Sequence, residues 1–317
     1  MKNAVSTRIR FARNIAGVKF LSSMNSDEKR ELLLKIKDEA KKIGDFDFID
    51  MSALSDIRAG ELMEKHLISP EFAENRENCG VLLGKDGITS IMINEEDHLR
   101  IQVIMPGLCL EEALKKAKEL ENKLDGALGF AYSEELGYLT HCPSNIGTGM
   151  RASVMLHLPA MTETGAIGRL PSVLSQNGLT VRGLYGEGTR AGGAIYQISN
   201  RVSLGLSEEE IIERLEAMVK KIDETETALA KQLFENERMT DRVSRALGTL
   251  KYAKLISSSE ALKLLSDVRF GAEACVLDTD LDVIDKLSTD IQPCSMEIAA
   301  DGKNRDAVRA EKIRNTL

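Results

Sequence analysis

The chain has no apolar run long enough to span a bilayer, and no charged-then-apolar leader pattern opens it. A cytoplasmic location is the resulting expectation. Cysteine is scarce: Cys79, Cys109, Cys142, Cys275 and Cys294 are odd in number and show no CxxC or Cys/His metal spacing. That excludes a disulfide framework and a zinc motif, and leaves reduced thiols. Positive charge is also in deficit, with 42 Lys and Arg against 50 Asp and Glu and a net charge of -8. General binding to nucleic acid or to an anionic membrane has no support from that balance, and neither is expected as a partner. No GxxxxGK[ST] motif occurs, and the lone GTG is too short for a dinucleotide fingerprint. Internal repeats, low-complexity segments and a Pro- or Gly-rich linker are missing as well.

What is present fits a soluble globular protein of one large or two ordinary domains: 317 residues, 43% apolar and 29% charged. From Ser26 to about Ile43 the pattern predicts a helix, with Leu32, Leu33, Ile36, Ala40 and Ile43 on its apolar side. CGVLLG and ITSIMIN read as strands joined by the turn GKDG, and LRIQVIMPG as a third strand closed by Pro-Gly. LEEALKKAKELENKL is helical. Further short strands are expected around YLTHC, SVMLHL, LTVRGLY and AIYQIS. Strands joined by short turns favour an antiparallel α+β sheet over a parallel doubly wound one. From Ser207 onward the reading is mostly helix, with capping boxes at Ser207/Glu210 and Ser257/Glu260. The domain change is placed near residue 228.

Two features carry chemistry. The first is NEEDHLR at 94–100, which sets Glu95, Glu96, Asp97, His98 and Arg100 between two strands. The second is a set of arginines beside loops: Arg8, Arg10 and Arg13 in STRIRFAR, then Arg100, Arg151, Arg182 and Arg190. On an extended segment Arg8 and Arg10 point to the same side. Arginines converging from separate loops would grip a polyphosphate through bidentate, charge-assisted contacts.

In that order, STRIRFAR, NEEDHLR, CPSNIGTGMRA and RGLYGEGT resemble the phosphagen (guanidino) kinase family. NEEDHLRIQ, RGLYGEG and YQISN are similar, within it, to the bacterial protein-arginine kinases of the McsB type. The resemblance covers roughly residues 4–215, and RDAVRA at 305–310 resembles that subfamily's phosphoarginine-binding motif. It implies an α+β guanidino-kinase catalytic domain over 1–228, an antiparallel sheet flanked by helices, and a mostly helical C-terminal domain over 229–317.

The resemblance also implies roles. ATP would be held by Ser6, Thr7, Arg8, Ile9, Arg10, His66, Arg100, Arg151, Ala152, Ser153, Val154, Met155, Arg182, Gly183, Leu184, Tyr185 and Gly186. Mg²⁺ would be held mainly by phosphate oxygens and water, with no protein metal site. Glu96 would be the general base, Glu187 would hold the other face of the guanidinium, and Glu95 would support them. A guanidinium has a pKa above about 12 and must give up a proton before its nitrogen attacks phosphorus, so a carboxylate at this place has work to do. Asp97 and His98 are expected to fix the turn. Cys142 would be a reactive thiolate beside the arginines, and His141 and His157 structural neighbours. Arg305, Asp306, Arg309 and Ala310 would bind phosphoarginine as an allosteric site.

The implied activity is ATP-dependent phosphorylation of protein arginine in a stress response, marking proteins for Clp-type degradation. Implied partners are a heat-shock repressor and unfolded proteins bearing exposed arginine as substrates, a zinc-binding activator and a Clp-type unfoldase, with a homodimer expected. Little chain precedes Ser6, which predicts an open cleft suited to arginine on a protein. The alternatives are a kinase of free arginine or another small guanidine, and a phosphoarginine-binding adaptor without catalysis.

Overall fold

The computed structural model describes residues 1–183 and 192–317. In chain order it begins with strand β1 (Ala4–Arg13), helix α1 (Ser26–Ile43), β2 (Phe46–Asp50), and two short helices, α2 (Asp56–Glu64) and α3 (Pro70–Glu74). Strands β3 (Gly80–Gly84), β4 (Thr89–Ile93) and β5 (Leu99–Pro106) precede α4 (Leu110–Leu128), and a small hairpin follows, β6 (Tyr132–Ser133) and β7 (Gly137–Tyr138). Then come β8 (Met150–His157), α5 (Pro159–Glu163), α6 (Leu170–Gln176), β9 (Leu179–Gly183) and β10 (Ile195–Asn200). The rest is helical: α7 (Glu208–Leu233), α8 (Glu237–Tyr252), α9 (Ser258–Glu273), α10 (Leu281–Asp290), α11 (Pro293–Ala300) and α12 (Arg305–Thr316). Among the described residues no helix is long and apolar enough to cross a membrane.

Local chemistry accounts for most boundaries. Asn25 caps α1 in a reciprocal capping box with Glu28, and the apolar positions Leu32, Leu33, Ile36 and Ala40 are buried as the spacing predicts. Asp86 takes the N–H groups of Ile88 and Thr89, each at 3.0 Å, which closes the GKDG turn between β3 and β4. Ser207 and Glu210 exchange hydrogen bonds at the start of α7. Ser257 caps α9. YLTHC departs from its predicted strand. Pairing ends at Tyr138, Thr140 Oγ1 donates to the Cys142 carbonyl, and Pro143–Asn145 form a single 3₁₀ turn. A threonine bonding its own local backbone and a proline without an N–H both compete with a ladder.

The eight larger strands form one sheet in the order β2-β3-β4-β5-β1-β8-β10-β9, and β2-β3-β4-β5-β1 is antiparallel throughout. The register of β1 against β5 decides where the arginines go. Arg8 lies opposite Ile104, Arg10 opposite Gln102 and Ala12 opposite Arg100. Directly paired residues share a face, as do alternate residues along a strand, so Arg8, Arg10 and Arg100 lie on one side. Ile9, Phe11, Ile101 and Val103 occupy the other side, fully buried.

The chain forms two compact units. One contains residues 6–154 and 199–216. The other contains residues 1–5, 155–198 and 217–317. Helix α7 runs unbroken through residue 228. In the second unit α8, α9, α10 and α12 share a core that includes Leu250, Leu265, Ile284 and Ile313.

Candidate active site

The turn between β4 and β5 is built from inside outward. Asn94 adopts φ 61 and its side chain donates to the Lys29 and Asn78 carbonyls, both at 2.9 Å. Asp97 and His98 then turn inward, as the sequence suggests. Asp97 Oδ1 accepts the Asn14 amide and the His141 backbone N–H, each at 2.6 Å. Asn14 in turn accepts the His98 N–H at 2.9 Å. Ile15 N–H donates to His98 Nδ1 at 3.0 Å, so the ring proton sits on Nε2, 2.8 Å from the Lys19 carbonyl. Burial lowers the pKa of this histidine below its ordinary value. These bonds tie the end of β1, the acidic turn and the Cys142 loop together. Cys142 Sγ lies 3.0 Å from Ser144 Oγ.

Glu95 and Glu96 remain on the other side of the turn. Glu95 is nearly buried and receives Ser69 Oγ at 2.5 Å, while Glu96 is more open to solvent. Arg100 reaches both, with Nη1 at 2.8 Å from Glu95 Oε1 and Nη2 at 3.1 Å from Glu96 Oε2. The two carboxylates are therefore spaced to hold one planar guanidinium. Here the residue they hold is one expected in the phosphate cage.

The arginines converge. Burial, then the charges of Arg151 and Arg100, lower the Arg8 pKa to about 10. Arg10 is pushed down by burial and by Arg8, Arg100 and Arg151, with Glu95 opposing. Arg10 Nε is buried without a hydrogen-bond partner among the described residues. Four cations that disfavour one another, with one carboxylate pair against them, form a site whose field calls for a polyanion. Arg151 Nη2 donates to Ser199 Oγ at 3.0 Å, and Asn200 Oδ1 accepts the Ala152 N–H at 2.8 Å. Ser153 and Val154 are buried along the same strand, and Met155 continues it. Ser6, Thr7 and Ile9 belong to β1; Thr7 Oγ1 donates to the Gly107 carbonyl and accepts the Cys109 N–H. His66 has φ 59, and burial followed by the Arg8 charge lowers its pKa to about 4. It is neutral at physiological pH.

Arg13 is spent inside the fold on Glu121 at 2.9 Å and the Thr148 carbonyl at 3.0 Å, beneath the Tyr138 ring. Arg182 is exposed on β9, with Gly183 ending that strand. Leu184, Tyr185, Gly186, Glu187 and Arg190 lie outside the described residues. His157 is fully buried against Glu273 and Ser266. In RDAVRA, Arg305 is exposed and pairs with Glu297 at 3.0 Å. Arg309 is buried, giving bonds to the Ile291 carbonyl at 3.0 Å, the Ile256 carbonyl at 2.9 Å and Asp306 at 2.5 Å, and Ala310 is buried beside it. The two arginines thus do not present a common cationic face. Residues missed from sequence are Ser69, which holds Glu95, and Asn14, which bridges Asp97 and His98. Asn14 directly follows STRIRFAR, and that adjacency was the available signal.

Among the described residues no cluster of three His, Cys, Asp or Glu side chains could hold a metal ion. A divalent ion arriving with nucleotide would draw its shell mainly from phosphate oxygens and water, with the Glu95 carboxylate available to accept from a metal-bound water. This hard-oxygen chemistry fits Mg²⁺.

Two family models match the chain. Residues 29–229 match the ATP:guanido phosphotransferase C-terminal catalytic domain, and residues 236–317 the protein-arginine kinase McsB C-terminal domain. A protein-arginine kinase of Caldanaerobacter subterraneus subsp. tengcongensis is 42% identical over 99% of this chain and 96% of its own length. One of Syntrophomonas wolfei is 44% identical over 99% and 91%. Among solved structures, the duplicated taurocyamine kinase from Schistosoma mansoni with bound transition state analog components is similar at TM-score 0.64 and 26% identity. That match covers 71% of this chain and 33% of the duplicated protein, so the chain spans about a third of it. A lombricine kinase is similar at TM-score 0.64 and 27% identity, over 72% of this chain and 67% of its own. With its arginines on one sheet face and its paired glutamates beside them, the chain belongs to the ATP:guanido phosphotransferase family, among the protein-arginine kinases.

Proposed function

We propose that the protein transfers the γ-phosphoryl group of ATP to arginine side chains of other proteins. The observation that carries this reading is the juxtaposition of Arg8, Arg10, Arg100 and Arg151 with Glu95 and Glu96 in one unit. The arginines neutralise the triphosphate and the charge that spreads over the equatorial oxygens in a loose transition state. The substrate guanidinium replaces Arg100 between the two glutamates, and Arg100 turns to phosphate. An Nη nitrogen then forms a bond to Pγ while the bond from Pγ to the β–γ bridging oxygen breaks. Glu96 takes the guanidinium proton, and ADP leaves with the electron pair. Mg²⁺, when bound with the nucleotide, supplies further neutralisation of phosphate charge.

Glu187 closes the other face of the guanidinium, Cys142 adds a sulfur next to it, and Ser6–Arg10, His66, Ala152–Met155 and Arg182–Gly186 line the nucleotide. Residues 1–228 carry this transfer, and residues 229–317 read its product through Arg305 and Asp306. Phosphoarginine so made marks clients for a Clp-type unfoldase in a cytoplasmic stress response, with a heat-shock repressor among the substrates, a zinc-binding activator and a homodimeric enzyme. The family resemblance supports these finer assignments.

A second reading, a kinase of small guanidines, draws on the similarity to proteins named taurocyamine and lombricine kinase. Incubation with ATP and either free arginine or an unfolded arginine-rich protein separates the two, with mass spectrometry under non-acidic conditions because the P–N bond is acid labile. Preferential transfer to the protein is expected. Glu96→Gln keeps the hydrogen bonding but cannot take the proton, so turnover falls at least about a hundredfold with nucleotide affinity unchanged. Parent-like turnover in that variant would remove Glu96 from the mechanism.

A further inference from the structure

Large apolar side chains that stay partly exposed gather around the loop running from Cys142 to Gly149. The loop is held on one side by the β6–β7 hairpin, where Leu136 accepts the Gly147 N–H through its carbonyl at 2.9 Å. Ser203 holds it on another side. Its Oγ donates to the Ile146 carbonyl at 2.9 Å and the Ser144 carbonyl at 3.2 Å, and its own carbonyl accepts the Thr148 N–H. Gly147, at φ 105, approaches so closely that a Cβ there would stand 2.7 Å from the Leu204 Cα. These anchors set Leu136, Val202 and Leu204 at the edge of the loop, 44%, 44% and 51% exposed. Before Cys142, His141 meets the Phe20 ring edge-on with centroids 6.0 Å apart, and Phe20 is 40% exposed. A single exposed leucine requires no explanation, whereas several on segments bound to one loop make a patch.

We propose that Phe20, Leu136, Val202 and Leu204 form the docking surface for the substrate polypeptide, binding unfolded segments in which apolar residues flank the target arginine. The inference rests on the protein-arginine reading above and names the kind of chain that reading requires. A free guanidine has no flanking side chains to place on such a rim. Charge selects the same occupant. Glu134 and Glu135 are exposed on the hairpin that carries Leu136, and Glu95 and Glu96 lie beyond Asp97, which holds His141. An arginine-bearing segment brings the complementary sign, and Arg201 stands beside Val202 as the opposing cation. A second copy would bring another net charge of -8 to this acidic edge, which disfavours self-association there.

The test uses the full chain with all three of Leu136→Ser, Val202→Ser and Leu204→Ser, and separately with Phe20→Ser. Substrates are a reduced, carboxymethylated arginine-containing protein and a short arginine peptide flanked by glycine and serine. For the triple variant, KM toward the unfolded protein is expected to rise at least about tenfold with kcat retained, while the constants for the short peptide stay within about twofold. Leu204→Ser alone, expected to raise KM in the same direction, stands in if the triple variant fails to fold. An unchanged KM for the unfolded protein overturns the proposal, as does an equal loss with both substrates. Conversion of a parent dimer to a monomer, read by light scattering, overturns it in favour of a self-association face. A parent enzyme that phosphorylates free arginine and neither polypeptide overturns the underlying reading, an outcome visible before any variant is made.

Discussion

Arg8 and Arg10 are held at a loss until an anion arrives. Arg8 has its pKa lowered to about 10, so it stays charged at neutral pH and carries the full repulsion of Arg151 and Arg100. Arg10 adds a buried Nε that nothing described satisfies. Removing one such cation relieves the folded state and weakens the bound state. Arg10→Met is therefore expected to raise the melting temperature without nucleotide, by the equivalent of roughly 1–2 kcal/mol, and to shrink the further rise given by saturating Mg·ATP. A variant with lowered intrinsic stability and a parent-like nucleotide shift would count against the cage. His66 makes the opposite kind of statement. Its ordinary pKa is 6.5 and its value in the fold is about 4. Between those pH values the unfolded chain binds a proton that the folded chain refuses, so its contribution is complete above pH 6.5 and lost as pH falls toward 4. His157, buried and near Arg269, shifts in the same direction. His66→Asn, suited to the positive φ, should flatten the decline in urea stability between about pH 7.5 and about pH 5 by roughly 1–2 kcal/mol. An identical decline in the variant would assign the acid sensitivity elsewhere.

At the scale of elements, the site depends on one buried carboxylate that does no chemistry. Asp97 joins the end of β1, the β4–β5 turn and the Cys142 loop through two short bonds from Asn14 and His141. Hydrogen bonds to a buried charge contribute about 1.5–3 kcal/mol each, so Asp97→Ala should destabilise by at least about 2 kcal/mol in urea and lower turnover by freeing the Cys142 loop. Asp97→Asn retains an acceptor oxygen and should recover most of both. Much of this architecture is legible in the sequence because its signals are local. Asn25 with Glu28, the GKDG turn and the Ser207/Glu210 box each act within four residues. Alternation along STRIRFAR likewise reveals that Arg8 and Arg10 share a side. The pairing of Arg100 with Glu95 and Glu96 was not legible, because it depends on the side-chain choice that a turn makes in three dimensions. Nor was the inward turn of Arg309, whose acceptors lie 18 and 53 residues away. YLTHC misled because β-type composition says nothing of the local bond from Thr140 that ends the strand.

At the scale of the whole molecule, the RDAVRA motif commits one arginine to the helical core and leaves the other exposed. Arg309 bonds the carbonyl of Ile291, just after α10, and that of Ile256, just before α9, while the Asp306 carbonyl accepts the Ile256 N–H. One guanidinium thus closes the junctions among three helices, and its removal leaves buried carbonyls unsatisfied. Arg309→Ala should destabilise the protein by roughly 3–5 kcal/mol, on the scale of breaking a buried charged pair. Arg305 has an exposed partner in Glu297, a contact worth at most about 1 kcal/mol. If phosphoarginine binds at this motif, the exposed groups must supply the recognition: Arg305 for the phosphoryl oxygens, and Asp306 for the ligand's guanidinium once it shares its bond to Arg309. Arg305→Ala with Asp306→Ala is accordingly expected to melt within a few degrees of the parent while losing calorimetric binding of phosphoarginine outside the catalytic cleft. Arg309→Ala lowers the melting temperature and cannot separate the two roles by itself. Parent-like phosphoarginine affinity in the double variant would show that the motif serves the helical core and that the product is read elsewhere.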